Sequence, residues 1–305
     1  PTTLWQLPIP AAVNMLKEEG VKKLFTTILL IAAIAIQGAT TEPAQAEWQQ
    51  LPLASFAAGG GTNPNLALNK SSTPYVVYKD NANNDKASVI RFDGAGWRKV
   101  GSLGFSKGSI GLPSIAINNE DIPYVAYTDS FYGDKVCVKR FDGTEWSDIG
   151  TPGFATGFTL NAKNHLVFDQ NDTPYVGTKD GVMRLDGDNW VAVGSAFPTA
   201  ESIHLAFASD NTLYLAYNDG VMRFEDPNWV PVGDGFPSGI VMSFALDSND
   251  TPYVTYRGGT LQVGYLNGTN WEYLGTPGLA SPRLCYSIAL DSYNTPHVAF
   301  ANTAY

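Results

Sequence analysis

The chain has 305 residues, is 44% hydrophobic and carries a formal charge of −10. That is enough apolar material for a sizeable core. The acidic balance argues against nucleic acid or an anionic membrane face as a partner, because both reward clusters of Lys and Arg.

In chain order, residues 1–14 precede Met15 and read as an upstream or non-native segment. Residues 15–46 have the layout of a secretory signal peptide: a Lys-bearing start, an apolar run Leu24 to Ile36, and Ala44-Gln45-Ala46 as a small-x-small cleavage site. That run of 13 residues falls short of the roughly 20 needed to span a bilayer. Three Lys (17, 22, 23) and three Glu (18, 19, 42) cancel within the segment, so the remainder keeps the whole charge of −10.

From residue 47 to residue 305 the sequence repeats itself. Trp48, Trp97, Trp146, Trp190, Trp229 and Trp271 recur at intervals of 49, 49, 44, 39 and 42 residues. Between them come a loop Phe or Leu (Phe56, Phe105, Phe154, Phe197, Phe236, Leu279), a short apolar run and a Thr-Pro-Tyr-Val-like run such as Thr251 to Val254. These runs are rich in Val, Ile, Tyr and Phe and bounded by Asn, Asp, Ser, Gly or Pro, which predicts strands.

Within each unit strand a ends in turn formers, as at Leu246 before Asp247-Ser248-Asn249-Asp250, and strand b opens on the Pro. Strand c carries Val-x-Arg-Phe-Asp-Gly, as in Val138 to Gly143, where Asp-Gly reverses the chain into the Trp-bearing strand d. In units three and four the b-to-c link shrinks to Asp180-Gly181 and Asp219-Gly220. Units of about 40–50 residues with four antiparallel strands predict an all-β, six-bladed β-propeller.

Trp48 to Leu51 reads as a lone strand d, and the last unit stops after strand b near Phe300. The two ends therefore share the closing blade, which lacks its strand c, and the chain reads as truncated at its C-terminus. Cys137 and Cys285 fall in blades separated by another, so both are expected as free, buried thiols.

Strand a of a propeller lines the central channel. Aligned on Thr-Pro-Tyr, Asn65, Ser114, His165, His204, Ser243 and Ser287 fall at one point, the start of strand a, and all six are polar. They form the first ligand-binding candidate, a ring at the channel mouth; the same residue types also suit strand capping or channel water. His165 and His204 lack a third ligand in register, so no metal is assigned.

The second candidate is the end of strand b on the same face, where Asp80 and Asp129 open longer loops and are less constrained by turn chemistry than Asp180 and Asp219. Carboxylates beside cations suit sugar hydroxyls, or a calcium ion as the sole cofactor considered. Phe131 and Tyr132 offer rings on which a sugar can stack. The recurring Arg91, Arg140, Arg184 and Arg223 are expected to pair with neighbouring blades. No nucleophile elbow or phosphate loop is present, so no catalytic residue is assigned.

The units Phe141-Asp142-Gly143-Thr144-Glu145-Trp146 and Pro123-Tyr124-Val125-Ala126-Tyr127 resemble the repeat propellers of bacterial secreted and surface proteins, and more remotely kelch and sialidase-type propellers. The Asp-Gly-x-x-Trp spacing departs from the sialidase Asp-box. The resemblance implies a secreted or cell-surface binding or adhesion module. The expected function is a lectin-like, non-catalytic propeller binding a glycan or an extracellular protein through the channel-mouth face. A carbohydrate-active hydrolase or lyase on that face is the alternative.

Overall fold

The computed structural model describes residues 60–157, 165–195, 202–236, 239–257, 260–275 and 284–301. The leader, Trp48 and the strand it opens lie outside them. So does the side chain of Cys285.

The described residues form a β-propeller of antiparallel sheets, the four-stranded ones each running a-b-c-d in chain order. Blade one is β1 (Gly61–Leu68), β2 (Pro74–Asp80), β3 (Lys86–Phe92) and β4 (Trp97–Lys99). Blade two is β5 (Ser114–Ile117), β6 (Pro123–Asp129), β7 (Lys135–Phe141) and β8 (Trp146–Asp148). Blade three is β9 (Leu166–Phe168), β10 (Pro174–Thr178), β11 (Gly181–Asp186) and β12 (Asn189–Ala192). Blade four is β13 (His204–Phe207), β14 (Leu213–Tyr217), β15 (Gly220–Glu225) and β16 (Asn228–Pro231). Blade five is β17 (Ile240–Leu246), β18 (Pro252–Arg257), β19 (Leu261–Asn267) and β20 (Asn270–Tyr273), followed by the pair β21 (Leu284–Leu290) and β22 (Pro296–Ala301). The described residues thus hold five complete blades and one two-stranded sheet, where the repeat predicted six blades.

Each first strand lies against the first strand of the next sheet, from β1 through β5, β9, β13 and β17 to β21, so strand a is innermost. Three sets of hydrogen bonds repeat from blade to blade. At the rim, the indole N–H of Trp146 donates to the Val100 carbonyl (2.8 Å), Trp190 to Ile149 (3.0 Å), Trp229 to Val193 (3.1 Å) and Trp271 to Val232 (2.8 Å). The acceptor lies three residues after the previous Trp, which is why the Trp spacing was legible as a repeat. The loop Phe stacks on the same indole, with centroids 4.5 Å apart for Phe105–Trp146 and 4.4 Å for Phe154–Trp190. Burying one such indole stabilises the seam by at most about 4–6 kcal/mol, taking ~150–250 Å² at ~25 cal/mol per Å².

At the a-to-b turns, the N–H of Lys70 donates to Asp121 (3.0 Å), Asn119 to Asp172 (2.9 Å), Gln170 to Asn211 (2.9 Å), Ser209 to Asp250 (2.8 Å) and Ser248 to Asn294 (3.0 Å). All five acceptors have φ between 61° and 69°. Asn and Asp tolerate that left-handed backbone and present a side-chain oxygen there, so turn chemistry and blade docking select the same residue. Apolar clusters fill each seam, as where Val77 and Val89 of blade one meet Val125 and Tyr127 of blade two. Among the described residues no helix is long and apolar enough to cross a membrane.

Candidate functional site

The third set of bonds is made by the polar ring. Cross-strand partners confirm the common register: Asn65 opposes Val77, Ser114 opposes Ala126, His204 opposes Ala216, Ser243 opposes Thr255 and Ser287 opposes Ala299. The carbonyl of His165 accepts from Gly177 at the equivalent point.

Four of these side chains reach across the seam to the innermost strand of the next blade. Asn65 Oδ1 accepts from the Ile115 N–H (2.9 Å) and Ser114 Oγ from Leu166 (3.2 Å). His165 Nδ1 accepts from Leu205 (3.0 Å) and Ser243 Oγ from Ile288 (3.2 Å). Each acceptor satisfies a backbone N–H that strand a, having no inner neighbour in its own sheet, would leave unpaired. Ser114 and His204 are buried, Asn65, His165 and Ser243 half-buried, and Ser287 exposed. The rings of His165 and His204 lie 5.9 Å apart across one seam.

Asp80 and Asp129 end β2 and β6 at the same end of the sheets and are both fully buried. Asp80 accepts from the Ala82 N–H (3.1 Å), Asn83 Nδ2 (2.9 Å) and Ser88 Oγ (2.7 Å). Asp129 accepts from the N–H groups of Lys107 (3.1 Å), Gly108 (2.8 Å) and Phe131 (2.9 Å). Each carboxylate caps a single 3₁₀ turn, Asn81–Asn83 or Ser130–Tyr132, closed by a left-handed residue, Asn84 (φ 57°) or Gly133 (φ 71°). The longer loops were expected to leave these two residues less constrained; instead each is held by three donors. Among the described residues no group of three or more His, Cys, Asp or Glu is placed to hold a metal ion.

Asp129 also ties the loop entering blade two to the loop after β6. A Cβ on Gly108 would sit 2.6 Å from Asp129 Oδ1, so the close approach requires glycine. Across this joint Lys107 Nζ donates to the Tyr132 hydroxyl (2.5 Å) and lies 5.1 Å from the Phe131 ring centre. The bond to Tyr132 raises the pKa of the Lys107 ammonium above its usual value. Phe131 stands edge-on to Tyr132 (5.1 Å) and is 65% exposed. A cation and two aromatic rings are therefore brought together on a hydrogen-bonded loop pair at the end of blade two where Asp129 lies. The sequence pointed to Phe131 and Tyr132 but not to Lys107, which lies 25 residues from Tyr132.

Two of the recurring arginines, expected to pair with neighbouring blades, pair within their own blade instead. Arg223 Nη2 lies 2.6 Å from Glu225 and Arg184 Nη2 lies 3.8 Å from Asp186, both within their own blade. The acid two residues on is the partner, since residues i and i+2 of a strand share a face.

No protein-family model matches the chain, and no curated protein aligns with it significantly. Solved structures match its fold. A virginiamycin B lyase from Staphylococcus aureus with quinupristin has a TM-score of 0.57 at 13% identity, covering 82% of this chain and 87% of the other. The Aleuria aurantia lectin in complex with Fucα1-6GlcNAc has a TM-score of 0.53 at 14% identity, covering 79% and 88%. YCF48 bound to D1 peptide has a TM-score of 0.56 at 10% identity, covering 85% and 80%. At these identities the likeness establishes the β-propeller fold alone.

Proposed function

We propose that the chain is a secreted or surface-exposed bacterial propeller that binds a glycan, without catalysis, through the channel-mouth face. The observation that carries this is the Phe131–Tyr132–Lys107 platform: an aromatic ring 65% exposed, on a loop anchored by a buried carboxylate. An anchored ring loses little entropy when a sugar stacks on it, and Lys107 supplies a donor for a hydroxyl beside it. Asp80, Asp129 and the ring from Asn65 through Ser114, His165, His204 and Ser243 to Ser287 set the shape around it. Binding is favoured over hydrolysis because both carboxylates already accept three hydrogen bonds and are turned inward. That the lectin neighbour holds a fucosylated disaccharide, and YCF48 a peptide, is consistent with a propeller face as a docking surface.

The same reading takes the propeller as six-bladed, closed by the strand that Trp48 opens. The Leu274 carbonyl and Gly275 (φ 77°) stand three and four residues after Trp271, where every preceding seam receives an indole. No described atom lies within 4 Å of a Cβ placed on Gly275, and Tyr273 and Leu274 are 51% and 40% exposed. Trp48 is the remaining tryptophan in register.

A glycan array probed with the chain from residue 47 onward, with and without calcium, tests the binding claim. Binding to a defined set of glycans, lost in Phe131→Ala, is the expected result. No retention by any glycan under either condition would refute the lectin reading, and retention of a peptide library alone would turn it toward an extracellular protein partner.

A further inference from the structure

At the opposite end of the sheets, where β2 and β6 begin, the seam between blades one and two opens into a cleft of about 740 Å³. Sites for small molecules typically measure roughly 300–1,000 Å³. Tyr75 and Phe141 lie on its apolar wall; Arg91, Lys99, Asp121 and Asp142 supply charged groups.

Arg91 is held differently from its counterparts in blades three and four. In blades three and four the equivalent Arg is held by the acid two residues on. In blade one that acid, Asp93, is taken by Arg98 from the adjacent strand (Nε to Oδ2, 2.8 Å). Arg91, cross-strand from Tyr75, has no ion pair among the described residues.

The two carboxylates are each half used. Asp121 Oδ1 accepts from the Lys70 N–H, and Asp142 Oδ1 accepts from Thr144 and Glu145 (2.8 Å each); among the described residues no hydrogen bond reaches the second oxygen of either. Two cations, Arg91 and Lys99, against two carboxylates leave the cleft without net charge, which favours a neutral ligand over an anion or a cation. A neutral polyol suits the cleft, since its hydroxyls donate to the carboxylates and accept from Arg91 while its C–H face lies against Tyr75 or Phe141.

We propose that the cleft between blades one and two is a second saccharide site, for a neutral sugar with adjacent hydroxyls, in which Arg91, Asp121 and Asp142 are the contact residues. It is independent of the channel-mouth platform, which lies at the other end of the sheets.

Saturation-transfer NMR with the methyl glycosides of fucose, galactose, mannose and glucose tests it, on a Phe131→Ala/Tyr132→Ala background that silences the first site. Transfer to at least one glycoside is expected to persist in that background. Arg91→Ala should weaken it by about tenfold or more, the loss of one good polar contact, whereas Arg184→Ala should leave it unchanged. Asp142→Asn, which keeps the turn-capping oxygen, gives the same reading should Arg91→Ala fail to fold. Absence of transfer in the background while the wild-type chain binds would overturn the second site and leave the first standing. Absence in both would sink the two together, and transfer indifferent to Arg91→Ala and Asp142→Asn would place the sugar elsewhere.

Discussion

Gly150→Ala isolates the Trp-centred seam. Gly150 follows the carbonyl that receives the Trp190 indole and has φ of 63°. A Cβ there would lie 2.6 Å from Trp190 Nε1 and 2.7 Å from its Cδ1. Gly187 has nearly the same backbone, φ 59°, but open space around its Cβ. Both substitutions place an L-residue in the left-handed region at about 1–2 kcal/mol. Gly150→Ala must in addition displace the indole, losing a hydrogen bond of about 0.5–1.5 kcal/mol and part of its packing. The total is about 3–5 kcal/mol, so the difference between the two variants is about 2–3 kcal/mol. In a domain of this size that corresponds to a melting temperature roughly 4–10 °C lower for Gly150→Ala. Urea unfolding followed by Trp fluorescence reads both variants. Equal destabilisation would show that the seam yields without cost and refute the role given to the Trp belt.

Trp190→Phe keeps the stack on Phe154 but loses the bond to Ile149, and should cost about 1–3 kcal/mol in urea unfolding, because a half-buried carbonyl loses its donor. His165→Ala strands the Leu205 N–H at an inner seam; a loss of about 1–3 kcal/mol is expected, with His165→Asn recovering part of it. Burial pushes the Cys137 thiol up to about 12, so it should resist thiol reagents in the native state and react on unfolding. Because that folded value lies above the unfolded one, the associated stability is present below about pH 9 and is lost as pH rises toward 12, which urea midpoints across that range would register. Trp48→Ala should lower the urea midpoint of the whole propeller if its indole seats on Leu274; a midpoint equal to wild type would remove the closing strand from the proposed ring.

The blades were legible because strand, turn and seam each leave a mark in the sequence. Pro opens strand b, Asp or Asn carries the left-handed turn, and Trp with its loop Phe recurs because each indole needs the previous blade's carbonyl. The alignment of Asn65 with Ser114, His165, His204, Ser243 and Ser287 was likewise visible, but not what those atoms touch. Their bonds run to residues roughly 40–50 positions away, and only the stacking of blades says that Asn65 meets Ile115. Asp80 and Asp129 looked like open-loop carboxylates; the left-handed Asn84 and Gly133 that fold those loops back onto them were the available sign of a 3₁₀ turn. Lys107 and the diversion of Asp93 to Arg98 depend on side-chain choices among several acceptors. No spacing encodes such choices.

The most direct test of glycan recognition at the channel mouth is calorimetric titration of the best array glycan into wild-type and Phe131→Ala protein. An affinity at least about tenfold weaker in the variant, equivalent to about 1.4 kcal/mol, with an unchanged melting temperature is the result predicted for a stacking platform on a hydrogen-bonded loop. Equal affinities in the two proteins would contradict it.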